Sequence, residues 1–139
     1  MKILILNGAN LNLLGTREPD IYGSTSMDDV LTYLKSEYSQ HAIEYFQSNF
    51  EGEIIGKIQE NDFDALIINP GAFTHYSFAI ADALKNLRKP KIEVHISNIY
   101  QREEFRQKSV TAAYTDAVLS GFGTEGYRLA IIHLISTIQ

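Results

Sequence analysis

The sequence contains no cysteine, and this absence removes disulfides, thiolate zinc sites, iron–sulfur clusters and a thiol nucleophile together. Positive charge is also short: 12 Lys and Arg stand against 17 Asp and Glu, a net charge of −5 with a pI of about 5.3. That balance argues against a surface that neutralises nucleic-acid phosphates or lies on anionic lipid. No apolar run approaches the roughly 20 residues of a membrane span, so no transmembrane segment is expected. The apolar run after Lys2 ends at once in Asn7-Gly8, too short for the core of a signal peptide, and a cytoplasmic protein is expected. No metal site is expected either, because His41, His75, His95 and His133 show no HExxH or comparable spacing, and His41 and His133 fall on helical stretches. No serine sits in a GxSxG elbow. Chemistry must come from oxygen acids, the four His, Arg and Lys, or the eight Tyr.

What the 139 residues do contain is an alternation of short apolar runs with segments of helical period. Ile3–Leu6 reads as a buried strand, and Ile43–Phe46, Ala65–Ile68, Ile92–Ile96 and Ala117–Leu119 as the four that follow. Ser26 caps a helix with Met27, Val30, Leu31, Leu34 and Tyr38 on one face. Ser48-Asn49-Phe50-Glu51 reads as a capping box before a helix that buries Ile54, Ile55 and Ile58. A third helix opens near Ser77 with Ile80, Ala83, Leu84 and Leu87 inward and is ended by Pro90. Arg102–Lys108 reads as a short charged helix, and Tyr127, Ala130, Ile131, Leu134 and Ile138 as the buried face of the last one. Five strands alternating with five helices predict a single α/β domain over residues 1–139. Its sheet is doubly wound, parallel and flavodoxin-like, with order 2-1-3-4-5 and helices on both faces.

Ligands in such sheets bind beyond the carboxyl ends of the strands, where strand order reverses. The stretches to watch are therefore Asn7 to Tyr22, Asn69 to Ser77 and His95 to Asn98. Gly121-Phe122-Gly123-Thr124-Glu125-Gly126 matches GxGxxG literally, but the chain ends before the following strand and acidic residue that a dinucleotide fingerprint needs. Tight helix–strand packing is the expected use of these glycines. A phosphoacceptor receiver shares the topology, yet Asn7-Gly8-Ala9-Asn10 and Asn69-Pro70 stand where its acidic residues belong.

The strand ends carry Asn10, Arg17 and Tyr22, then Asn69 and His75, then His95 and Ser97. Singly, each has a plain structural use: Asn10 or Asn69 satisfying loop backbone, His75 capping a helix, Arg102 and Arg106 forming a solvated pair beside Glu103 and Glu104. Together they suit proton abstraction next to a carbonyl in a small anionic substrate. Arg106 and the backbone around Ile96 and Ser97 can hold a carboxylate or hydroxyls, and Asn69 and His75 supply neutral hydrogen bonds. With no Cys and only Asp82 as a nearby carboxylate, Tyr22 is the natural base, five residues from Arg17. Full ionisation of a phenol at pH 7 requires lowering its pKa by about three units, roughly 4 kcal/mol. A desolvated guanidinium beside it supplies energy of that order. His95 is the candidate acid for a departing hydroxyl. The competing reading is a flavodoxin-like module that holds a nucleotide or flavin without catalysis.

The motifs resemble those of the type II 3-dehydroquinate dehydratases across essentially the whole chain. Asn7-Gly8-Ala9-Asn10-Leu11-Asn12-Leu13-Leu14-Gly15-Thr16-Arg17-Glu18-Pro19 with Tyr22-Gly23 is similar to the family's opening signature and lid loop. Gln47-Ser48-Asn49, Asn69-Pro70-Gly71-Ala72-Phe73-Thr74-His75 with Ser77, Glu93-Val94-His95-Ile96-Ser97-Asn98 and Arg102-Glu103-Glu104-Phe105-Arg106 resemble its later blocks. The resemblance implies reversible anti dehydration of 3-dehydroquinate to 3-dehydroshikimate through an enolate, in the shikimate pathway, with no cofactor and no Schiff-base lysine. It assigns Tyr22 as proton acceptor, Arg17 as its tuning cation, His95 as proton donor and Asn10 as holder of the water or oxyanion that carries the enolate charge. It makes Asn69, His75, Asp82, Ile96, Ser97 and Arg106 the substrate-binding set and Arg102 a support of the closed lid. It also implies a homo-oligomer, a dodecamer built of trimers, in which Asp82 reaches a neighbouring subunit's site. Four positions depart from the pattern: Ala9 where Pro is usual, Phe50 where His often stands, Gly56 where an acidic residue is common and Ala81 where Arg usually precedes Asp82.

Overall fold

Five apolar segments pair edge to edge as parallel strands: β1 (Lys2–Asn7), β2 (Ala42–Gln47), β3 (Ala65–Asn69), β4 (Lys91–His95) and β5 (Ala117–Ser120). Their order is β2-β1-β3-β4-β5, so the sequence order reverses between β1 and β3. The computed structural model describes residues 1–16, 20 and 25–138. Four α-helices cover the sheet among those residues: α1 (Met27–Glu37), α2 (Glu51–Glu60), α3 (Phe78–Asn86) and α4 (Glu125–Ile138). Among the described residues no helix is long and apolar enough to cross a membrane.

Strand residues alternate between the two faces, and each face has its own core. Ile3, Ile5, Ile67, Ile92 and Val94 pack with Met27, Val30, Leu31 and Leu34 of α1 and with Tyr127, Ala130, Ile131 and Leu134 of α4. Leu4, Leu6, Leu66 and Ile68 pack on the other side with Ile54 and Ile58 of α2 and with Ile80, Ala83 and Leu84 of α3. Full burial of each such side chain contributes about 1.5–3 kcal/mol, so the two layers supply most of the drive to fold.

Local signals set most boundaries. Ser26 and Asp29 form the reciprocal capping box of α1, each side chain accepting the other residue's backbone N–H. Ser77 caps α3 by accepting the N–H of Ile80 at 3.0 Å. At α2 the expected box is absent: Phe50 is the cap residue, and Ser48 accepts its N–H at 2.9 Å and donates to Glu53 at 2.6 Å. Glu51 turns instead to the Ser77 hydroxyl and ties the start of α2 to the start of α3. Ile55 is only partly buried.

Three further expectations are corrected. Residues 102–108 hold one 3-10 turn, Glu104–Arg106, rather than a helix, because no side chain of that turn is buried to anchor it. His41 lies in the turn between α1 and β2, its N–H donating to the Tyr38 carbonyl. Ile138, placed on the inner face of the last helix, is 39% exposed.

Close approach accounts for the glycine at two positions in particular. A Cβ on Gly8 would lie 2.1 Å from the Pro70 carbonyl oxygen, so glycine is what lets the chain leaving β1 pass this close to the chain leaving β3. A Cβ on Gly126 would lie 3.0 Å from Val94, the tight helix–strand packing expected of the last glycine cluster.

Candidate active site

A cleft lies at the point where strand order reverses, between Ala9, Asn10 and Leu11 after β1 and Asn69, Gly71 and Ala72 at the end of β3. Its polar walls come from Asn10, Asn69, His75, His95, Arg102 and Arg106, and Ile96 closes one side. Seven of the candidate residues thus meet at one place. Ser97 lines an adjoining depression that shares Ile96 and Arg102 with the cleft. Asp82 is exposed on α3 and does not line the cleft. Arg17 and Tyr22 lie outside the described residues.

Asn10 adopts a left-handed backbone, φ 68°, which asparagine tolerates better than most residues. Its N–H donates to Asn49 Oδ1 at 2.9 Å, and Gln47 Nε2 donates both to the same oxygen at 3.1 Å and to the Gly8 carbonyl at 3.2 Å. The Gln47–Asn49 block therefore holds the loop that presents Asn10. Asn69, at the end of β3 and 3% exposed, accepts the Gly71 N–H at 3.1 Å. It thus satisfies loop backbone and lines the cleft at once.

His75 does not cap a helix. Its Nδ1 lies 2.7 Å from the Lys108 carbonyl, which can only accept, so Nδ1 carries a proton. Burial lowers the His75 pKa below the ordinary 6.5 against the opposing effect of that hydrogen bond, and the charges of His95, Arg106 and Arg102 lower it further. The ring is therefore neutral at pH 7, with Nε2 left as an acceptor. Arg106 donates from Nε to Glu103 at 2.7 Å and has its guanidinium 4.9 Å from the centre of the Phe105 ring. Among the described residues no carboxylate lines the cleft, so two guanidiniums give it a positive field within a chain of net charge −5.

The residue that sequence reasoning left without a role is Glu93. It is fully buried, and its Oε2 lies 2.7 Å from His95 Nε2. Thr111 donates to its other oxygen, Ser109 donates at 2.8 Å and Thr74 at 3.3 Å. Burial alone would raise the Glu93 pKa, but the bonds from His95, Thr111 and Ser109 outweigh it and hold the carboxyl below the usual carboxylate range. Glu93 is thus an anion, and His95 Nε2 must be the donor in their hydrogen bond. That leaves Nδ1 as the ring nitrogen able to exchange a proton with a ligand. A charged residue in the middle of the apolar run Ile92–Ile96, two positions before a histidine, was the available signal: i and i+2 share one face of a strand. Ser109 and Thr111 come from irregular chain that carried no such signal. Among the described residues no three His, Asp or Glu side chains converge as metal ligands.

This arrangement agrees with the comparisons. Residues 1–135 match the family model described as dehydroquinase class II. The chain is 52% identical to a 3-dehydroquinate dehydratase of Thermotoga petrophila over 141 residues, covering all of this chain and 98% of that one. It is 55% identical to the protein of the same name from Caldicellulosiruptor bescii, covering 96% of this chain and 95% of that one. The crystal structure of the type II dehydroquinase from Propionibacterium acnes superposes with a TM-score of 0.93 at 45% identity, covering 97% of this chain and 96% of the other. That from Butyrivibrio crossotus superposes with a TM-score of 0.91 at 49% identity, covering 97% of both chains. With its sheet order, its strand-end cleft and its full-length sequence identity in agreement, the chain belongs to the dehydroquinase class II family.

Proposed function

We propose that residues 1–139 form one catalytic domain that dehydrates 3-dehydroquinate reversibly to 3-dehydroshikimate by anti elimination through an enolate, in the cytoplasm. The observation that carries this reading is His95, backed by the buried Glu93 carboxylate, in a cleft lined by Arg102 and Arg106. Such a site suits a small carboxylate that must lose a hydroxyl.

Tyr22, with Arg17 five residues before it to favour the phenolate, takes the proton next to the carbonyl, and the electron pair of the broken C–H bond forms the enolate. Asn10 holds the water or oxyanion that carries the charge. The enolate then collapses, the C–O bond breaks, and the hydroxyl leaves as water with a proton from His95. Tyr22 returns its proton to solvent, His95 regains one from solvent, and the cycle is redox-neutral. Glu93 stabilises the imidazolium that must precede this donation. Arg106 pairs with the substrate carboxylate, Asn69, neutral His75, Ile96 and Ser97 fix the ring hydroxyls, and Arg102 steadies the loop that holds Tyr22.

Asp82 acts from a neighbouring copy in a homo-oligomer, built as trimers that stack into a dodecamer. Phe50 and Phe78, each 70% exposed, and Tyr76, 57% exposed, surround the tied starts of α2 and α3. Asp82 lies one turn along α3 from Phe78, on the same side, so association through this apolar patch carries Asp82 to the partner.

Elimination creates a conjugated enone carboxylate. Ultraviolet absorbance should therefore rise when the purified protein meets 3-dehydroquinate near pH 7. No rise at any neutral pH, or a protein that purifies yellow with bound flavin, would overturn the reading.

A further inference from the structure

The strongest polar feature outside the reacting groups lies under the cleft, between the sheet and α4. Tyr127 is fully buried among Ile5, Ile67, Ala130 and Ile131, where an apolar ring would pack as well. Its hydroxyl accepts from Asn69 Nδ2 at 3.1 Å and donates to Asn7 Oδ1 at 2.8 Å. Asn7 in turn donates to the Tyr45 hydroxyl at 3.4 Å. Asn7 and Asn69 are register partners on β1 and β3, where strand order reverses.

We propose that Tyr127 is a positioning residue that fixes which way the Asn69 side-chain amide faces and so sets what Asn69 offers to substrate. The inference rests on Asn69 being a substrate-binding residue of the dehydratase.

A hydroxyl has one proton. Tyr127 gives that proton to Asn7, so toward Asn69 it can only accept. The amide nitrogen of Asn69 must face Tyr127, and Oδ1 must face the Gly71 N–H, 3.1 Å away. A flipped amide would set oxygen against the phenol lone pairs and N–H against N–H, two repulsions in place of two bonds. One donor and one acceptor of Asn69 are thereby used, and the remaining donor and acceptor are held in fixed directions in a residue that lines the cleft. Burial pushes the Tyr127 phenol well above its ordinary range, so its proton stays available to Asn7 throughout the working pH range.

Tyr127→Phe in the whole chain removes only the hydroxyl. In 15N-labelled protein the Asn69 side-chain amide pair, identified by its absence in Asn69→Asp, should exchange slowly with solvent in the wild type and quickly in Tyr127→Phe. Asn7→Ala, which keeps the ring and hydroxyl but frees the phenol proton, should move the same signals. The KM for 3-dehydroquinate should rise about tenfold in Tyr127→Phe while kcat changes by less than about threefold. Adding Tyr127→Phe to Asn69→Ala should raise KM no further. Unmoved amide signals, or a Tyr127→Phe effect on KM that adds in full to that of Asn69→Ala, would overturn the proposal, even if thermal stability falls. A wild-type protein without turnover would overturn the dehydratase reading instead, and the amide signals would still decide for or against Tyr127.

Discussion

His95 Nε2 lies 2.7 Å from Glu93 Oε2, and the two residues sit two positions apart on β4 on the same face of the sheet. The strand itself therefore sets the distance between the candidate acid and its carboxylate, without dependence on any loop. Among the described residues every other partner of Glu93 is a hydroxyl, so His95 is the one of them that can share its charge.

Replacing Glu93 with Gln keeps the shape and removes the charge. We predict that kcat for dehydration falls by roughly tenfold to a hundredfold with KM nearly constant, since a general acid contributes about a hundredfold or more. Steady-state kinetics on the purified variant checks this; an unchanged kcat would show that Glu93 serves packing alone.

The same carboxylate governs acid stability. Its native pKa is below the ordinary value of 4.5. Between those two values the unfolded chain binds more protons than the native one, so stability rises with pH through this window. The contribution is complete above 4.5 and disappears as pH falls through the lowered native value. Denaturant titrations of Glu93→Gln should show lower stability than wild type at neutral pH but a flatter loss as pH falls below 4.5. An equally steep loss would place the acid sensitivity elsewhere.

For Tyr22 the prediction comes from the sequence. Tyr22→Phe should cut turnover by roughly a hundredfold or more while leaving substrate able to raise the melting temperature. Arg17→Ala should act similarly and shift the pH–rate profile upward, because the phenol then ionises at higher pH. Retained turnover in Tyr22→Phe would put the base on another residue.

His75 should titrate below 6.5 in a histidine-ring NMR titration, since burial and the neighbouring cations disfavour its charged form. The native state prefers the neutral ring, so this preference favours folding fully above 6.5 and is lost as pH falls through the lowered native value. A midpoint at or above 6.5 would contradict the neutral, Nδ1-protonated ring.

Glycine substitutions should split by position. Gly8→Ala drives a Cβ into the Pro70 carbonyl and should cost about 1–3 kcal/mol. Gly56→Ala, exposed in the middle of α2 with nothing within 4 Å of the new methyl, should gain about 0.5–1 kcal/mol. Chemical denaturation of the two variants checks both signs.

The fold was legible because its signals are local. Each strand is a short apolar run, and the caps at Ser26 and Ser77 are one-residue features. The failures share one cause, contacts made across the molecule. Glu51 fits a capping box by spacing, but Ser77 competes for its carboxylate. Arg102–Lys108 has helical charge spacing, yet Phe105 is 65% exposed, and a segment with no buried face has no reason to complete a helix. The cleft residues could be read because topology gathers strand ends, whereas the hydroxyls around Glu93 are set by a loop whose path no periodicity encodes. Tyr127 read correctly as a core position, but its hydroxyl's partners, 58 and 120 residues away, are visible only in three dimensions.

The alternation that builds the two cores also divides the cleft. Asn7, Asn69 and Tyr127 belong to the layer shared with α4, and Glu93 faces the opposite layer. The reaction centre is thus a seam stitched from two separately packed halves. Damage to one half should spare the other, and substitutions at Tyr127 and Glu93 should combine multiplicatively in kcat/KM. A ligand bridging the seam would bind the two halves together, so its occupancy would slow the opening of both helical layers at once.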